Sequence, residues 1–157
     1  MSQITTLITN LAAISIGAAG TGDAPSAMQD NYQNAVMPHR FVTLSSVQGG
    51  RAEGLEPLTF GTTSVTHSNT WIVVDVCLFK SVGNVSGMEL VNPAMNTYME
   101  AYAEAMADST EYGYTSNNPH TRMNWSAEAR DGFEWGGATY YAVVATHTIR
   151  ELLNPAV

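Results

Sequence analysis

The sequence predicts an α+β fold: a mainly antiparallel β-sheet built around a long hairpin, with two amphipathic helices packed on one face. Three observations predict it. Residues 4–14 and 92–109 repeat apolar side chains at helical spacing. Residues 71–79 and 138–152 alternate with a period of two and are largely apolar on both sides. The elements run helix, strand, long strand or hairpin, helix, then strand or strands, which is the order of an antiparallel sheet with segregated helices.

The first helix is drawn by Ile4, Leu7, Ile8, Leu11 and Ile14, with Thr5, Thr6, Thr9 and Asn10 opposite and Gly17 as its stop. Residues 18–38 are small, polar and broken by Pro25 and Pro38, and read as a surface loop. Their glycines follow a helix and have the wrong order for a dinucleotide fingerprint. "RFVTLSSV", residues 40–47, reads as a strand, and 47–57 as a glycine-rich tip. Residues 59–79, rich in Thr, Val and aromatics, continue it as an extended hairpin ending in "WIVVDVCLF".

In that segment Ile72, Val74, Val76 and Leu78 share one side, and Trp71, Val73, Asp75, Cys77 and Phe79 the other. The first side is expected to lie under the helices. The second, carrying Asp75, is expected to be covered by a neighbouring subunit or by residues 108–135, with Asp75 paired to a hydroxyl, a backbone N–H or an arginine.

The second helix is expected from Asn92 as cap and Pro93 at the first helical position, with Met95, Tyr98, Met99, Tyr102 and Met106 as its buried stripe. Residues 108–135 read as an extended loop with one or two short strands, and "ATYYAVVATHTIREL" as a long final strand. No internal repeat or second hydrophobic centre divides residues 1–157, so one domain is expected, with loops at 18–38, 47–57 and 108–135.

Composition narrows the function. Charged residues make up 13% of the chain, about half the usual share of roughly 25%. With seven Tyr, three Trp and eight Met, this favours a surface hidden against copies of itself. Six Lys plus Arg stand against 14 Asp plus Glu, a net charge of −8, and no basic run supplies a phosphate-binding patch. Cys77 is the single cysteine, so an internal disulfide is excluded, and its strand position suits a small buried residue. The start "MSQITTLITNLAAISIG" lacks a basic signal-peptide opening, and no apolar run approaches the ~18 residues of a membrane helix. A soluble intracellular product is expected.

Catalytic patterns are missing from the sequence. His39, His67, His120 and His147 lie in separate segments with no second His or Cys three or four positions away, so no zinc pattern forms. There is no G-x-S-x-G, Walker loop or H-E-x-x-H. Glu100 and Glu104 keep the wet side of the second helix hydrated. His147 is expected on a sheet face near Asp75, as a structural pair. The expectation is no enzyme, cofactor or metal.

The segments "ITTLITNLAAI", "TWIVVDVCLFK", "NPAMNTYMEAYAEAM" and "ATYYAVVATHTIREL", in that order and covering nearly the whole chain, resemble the tail terminator and related neck proteins of lambda-like tailed bacteriophages. The resemblance implies a small α+β subunit that closes into a homo-oligomeric ring, usually a hexamer, at the head–tail junction. There it would cap the tail tube and dock the connector or stopper protein. It further implies a virion protein assembled in the host cytoplasm, with no membrane contact and no catalytic residues. DNA would pass through the ring without specific binding, repelled by acidic subunits.

Candidate subunit-interface residues are Trp71, Asp75, Phe79, Tyr112, Tyr114, Trp125 and Trp135. Candidate channel-facing acids are Glu53, Glu56, Asp108 and Glu111. The alternatives are another neck, head-completion or tail-tube subunit, or a small-ligand binding domain or enzyme with a pocket between the sheet and residues 108–135.

Overall fold

The computed structural model describes residues 4–50, 67–82, 88–107 and 122–153. Helix α1 spans Ile4–Ala13, a 3₁₀ turn Gly17–Ala19, strand β1 His39–Gly50, β2 His67–Ser81, helix α2 Met88–Ala107, β3 Arg122–Trp135 and β4 Ala138–Leu153. The four strands form one antiparallel sheet in the order β1-β2-β4-β3. The expected fold class is therefore the one observed.

Both helices lie on one face of the sheet. Ile4, Leu7, Ile8 and Leu11 of α1 and Met95, Tyr98, Tyr102 and Met106 of α2 join Val42, Val73, Cys77, Tyr141, Val143 and Ile149 in one buried cluster. A second cluster, Tyr32, Phe41, Val76, Leu78, Tyr140, Ala142 and Val144, fills the opposite face. The helices thus cover the Val73–Asp75–Cys77 side of β2, not the Val74–Val76–Leu78 side expected from its more aliphatic character. The reason is chemical: the helices bring the groups that satisfy the polar residues of that face, whereas aliphatic side chains accept any apolar cover.

That other cover comes from residues 18–38, read from the sequence as a plain surface loop. Tyr32 is fully buried and stacks on Phe41 with centroids 5.3 Å apart. Asp23 adds a one-residue parallel bridge to the outer edge of β1, with Asp23 N–H donating to Arg40 O at 2.9 Å and Val42 N–H to Asp23 O at 2.9 Å.

Three element boundaries also differ. Helix α1 ends at Ala13 well before Gly17, because groups from elsewhere in the chain take its last carbonyls. Helix α2 starts at Met88, so Asn92 and Pro93 lie within it. As the sixth residue, Pro93 stands past the first turn and lacks the N–H that would donate to the carbonyl of residue 89. Residues 122–135, expected to be mostly loop, form a 14-residue strand. Its aromatics looked irregular because the register shifts between Arg130 and Phe133, where Asp131 and Gly132 of β3 oppose Tyr141 alone on β4. That bulge sends Trp125 to the helix face and Phe133 and Trp135 to the opposite one.

The β3–β4 hairpin closes through Gly136 and Gly137, at φ 57° and 81°. Two consecutive positive φ values fit the two-residue turn that matches strand twist, and glycine adopts them without strain. Of the tip expected at 47–57, residues 47–50 instead continue β1, paired with 68–71 of β2, and 51–57 lie outside the described residues.

Candidate assembly surfaces and the buried network that braces them

Asp75 sits at the centre of β2 with no exposed surface. Arg40 of β1 reaches it with two hydrogen bonds, Nε to Oδ1 at 2.8 Å and Nη2 to Oδ2 at 2.7 Å. The remaining guanidinium donors go to the end of α1: Nη2 to Leu11 O at 2.7 Å and Nη1 to Ile14 O at 2.5 Å. Gly22 N–H donates to Ala12 O at 2.7 Å. A helix leaves its last carbonyls without partners and carries partial negative charge there, so a buried guanidinium is a fitting cap. Burial alone would lower the pKa of Arg40, but the adjacent Asp75 charge and hydrogen bonds outweigh it and hold it above its ordinary value.

Helix α2 joins the same carboxylate. Tyr102 O–H donates to Asp75 Oδ2 at 2.8 Å, and the Tyr102 oxygen lies 2.5 Å from His147 Nε2. With the hydroxyl proton committed to Asp75, Nε2 of His147 is the donor to Tyr102. Burial pushes the His147 imidazole down to about 4; the Asp75 charge opposes this and Arg40 adds to it. His147 is therefore neutral at pH 7. The network ties α1, β1, β2, α2 and β4 together through four side chains.

Cys77 and Tyr98 lie beside it. Burial, followed by the Asp75 charge, pushes both groups above their ordinary values, with Arg40 opposing. Cys77 is fully buried, so its thiol stays protonated and inert.

The interface residues expected from sequence separate into three groups. Trp71, Asp75, Phe79 and Trp125 converge on the helix side of the sheet; Trp125 lies 5.4 Å from Tyr102, and Phe79 meets Tyr98 edge-on at 5.5 Å. Asp75 is covered by this chain's own helices, where a neighbouring subunit or residues 108–135 were expected to cover it; of the latter, Trp125 packs on the same face. Trp135 is on the other face, 4.7 Å from Phe41, its Nε1 donating to Gln29 O at 3.1 Å. Tyr112, Tyr114 and the acids Glu53, Glu56, Asp108 and Glu111 lie outside the described residues.

Because Trp125 and Trp135 occupy opposite faces, they cannot line one pocket between the sheet and residues 108–135. A cavity of about 470 Å³ opens elsewhere, between the 3₁₀ turn, Met37–Pro38 and the first half of α2, walled by Phe79, Val91, Ala94 and Tyr98. Its lining is almost wholly apolar.

An arginine and a hydroxyl, both among the partner types expected for Asp75, hold it, but sequence reasoning did not identify them as Arg40 and Tyr102. A parity signal was present: Arg40 and Val42 share a strand face, and β1 pairs Arg40 with Cys77 and Val42 with Asp75.

Among the described residues, part of the outer face of the sheet is open. Register aligns Thr43, Val74, Thr146 and Ser126 in one row across the four strands, and Ser46, Ile72, Thr148 and Asn124 in the next. Ser126, Thr148 and Asn124 are exposed, and Thr43, Val74, Ile72 and Thr146 partly so. No protein-family model and no curated protein matches the chain.

Proposed function

We propose that this chain is a structural virion protein of a tailed bacteriophage, forming a ring at the head–tail junction that caps the tail tube and docks it to the connector. The observation that carries the reading is the form of the sheet. It presents two edges on opposite sides and a neutral, hydroxyl-rich stretch of outer face, on a chain with half the usual charge. A subunit with different patches on opposite sides can associate head to tail, and such contacts close into a ring where the rotation between subunits returns to its start.

Two further points support it. The element order is that of the phage proteins the sequence resembles. The ionisable cluster formed by Arg40, Asp75 and His147 is sealed at 0–1% exposure and engaged in bracing the fold, which suits a scaffold better than a reaction centre. With a net charge of −8, the assembled ring would let DNA pass without binding it.

Size-exclusion chromatography with light scattering, run on the protein alone and mixed with tail tubes, tests the reading. Ring-sized particles, or protein that elutes with tubes, is the expected result. Protein that remains at the 16.8 kDa monomer mass and never associates with tubes would overturn it.

A second reading, a small-ligand binding domain, is favoured by the apolar cavity beside α2, whose volume falls in the range of roughly 300–1,000 Å³ typical of ligand sites. Filling it with Ala94→Trp separates the two. Loss of assembly on tubes is not expected from that change, whereas a ligand-binding domain would lose its ligand.

A further inference from the structure

Strand β3 pairs only with β4 among the described residues, and its ladder breaks at Asp131 and Gly132. These two face Tyr141 without a one-to-one partner, whereas Arg130 pairs with Ala142 and Phe133 with Tyr140. A bulge of this kind leaves an extra residue unpaired and disrupts the ladder around it. Both residues are exposed. A Cβ placed on Gly132 would meet nothing within 4 Å, so the space beside this peptide is open. The Asp131 carboxylate has no hydrogen bond or ion pair among the described residues, and the neighbouring Arg130 is engaged by Glu128.

An aspartyl carboxyl and the nitrogen of the next residue are placed to close a five-membered ring. When the Gly132 nitrogen attacks Cγ of the protonated carboxyl, a Cγ–N bond forms and a Cγ–O bond breaks. The hydroxyl leaves as water, taking the proton from the nitrogen. Water then opens the resulting succinimide at either carbonyl. Addition at Cγ restores aspartate, and addition at the main-chain carbonyl gives isoaspartate, whose main chain runs through Cβ and Cγ. The water released in the first step equals the water consumed in the second, so mass and charge are unchanged. Glycine in the second position sets no side chain against the attacking nitrogen and lets the backbone turn into the ring.

The other described aspartates lack this combination. Asp75 is sealed and held twice by Arg40. Asp23 accepts from Tyr32, lies 2.8 Å from His39, and has its own N–H and carbonyl bonded to β1. Asp30 is exposed, but Asn31 follows it and its carbonyl lies against the Gly136 turn. We infer that Asp131–Gly132 is a site of spontaneous isomerisation in the folded protein, where succinimide formation converts Asp131 to isoaspartate and adds one carbon to the main chain at the bulge. The inference stands independently of the ring-forming reading. The added carbon falls just before Phe133 and Trp135, which pack on Phe41 and, through Trp135, bond to Gln29 of the 18–38 segment.

The full chain, incubated at neutral pH and physiological temperature beside a synthetic peptide of residues 126–133, tests this. Chymotryptic peptides are read by electron-transfer fragmentation, which distinguishes isoaspartate from aspartate at equal mass. Asp131 is expected to convert in the folded protein at a rate within about tenfold of the peptide's, because local opening free energies fall toward zero at exposed, unpaired backbone. Gly132→Ala, whose methyl meets open space in the fold, should slow conversion in the protein and in the matching peptide. Asp131 that stays intact in the folded protein and converts only in the peptide or in urea would overturn the inference. Equal conversion at Asp30 would overturn it too, since exposure alone would then decide the site.

Discussion

Asp75 stands at the centre of the buried network. It holds Arg40 and Tyr102, and through them the end of α1 and the imidazole of His147. Removing it leaves a guanidinium buried without its counter-charge, so Asp75→Ala is expected to destabilise the fold by about 3–5 kcal/mol in urea denaturation. A loss below ~1 kcal/mol would show that the network is not a brace. Tyr102→Phe, which removes one hydroxyl and strands the His147 donor, should cost less, about 1–3 kcal/mol.

His147 adds a pH dependence whose sign is fixed. Its folded pKa of about 4 lies below the ordinary 6.5, so between those values the unfolded chain binds a proton that the folded chain refuses. Stability is then fully present above pH 6.5 and declines as the pH falls toward 4, by roughly 3 kcal/mol in total. Denaturation midpoints measured at pH 7, 5.5 and 4.5 should fall in that order. His147→Gln, which keeps a donor for Tyr102 and does not titrate, should flatten the decline.

At the scale of elements, what was legible and what was not follow from range. The stripes of α1 and α2 were readable because a 3.6-residue period is written locally, and Leu7, Leu11, Met95 and Tyr102 are all fully or nearly fully buried. The long final strand was readable for the same reason at period two. The end of α1 was not, because its cap is Arg40, 26 residues beyond Ile14, and no local signal announces it. The face of β2 that meets the helices was misread because aliphatic character was weighed without the partners that Asp75 would find on α2 and β1. Strand β3 was obscured by its bulge, which breaks the alternation that marks a strand.

The β3–β4 turn offers a sharp test of element packing. A Cβ on Gly136 would stand 2.2 Å from Asp30 O and 2.6 Å from Asn31 Cβ, at φ 57°. Backbone blocks one side and the left-handed conformation penalises the other. Gly136→Ala is expected to destabilise by roughly 2 kcal/mol or more. Gly137→Ala meets nothing within 4 Å and should cost only its conformational penalty of about 1 kcal/mol. Equal thermal shifts in the two variants would contradict the contact between this turn and the 18–38 segment.

For the whole molecule, low charge and acidity make a joint prediction. A net charge of −8 on 157 residues opposes phosphate contacts, so a labelled duplex titrated with the protein at about 0.15 M salt should show no rise in anisotropy. Salt-sensitive binding there would argue for a basic surface that the sequence does not supply. The candidate channel acids, beyond the described residues, are not needed for this expectation, since the sign comes from the whole chain.

Assembly is the central claim, and tube ends are where it is most directly measured. Counting copies of the chain bound per purified tail tube, by quantitative mass spectrometry against the tube subunit, is expected to give one fixed ring number, six, per capped end, unchanged as more protein is added. A single copy per end, no binding, or copies that accumulate without limit along the tube would contradict a closed terminating ring.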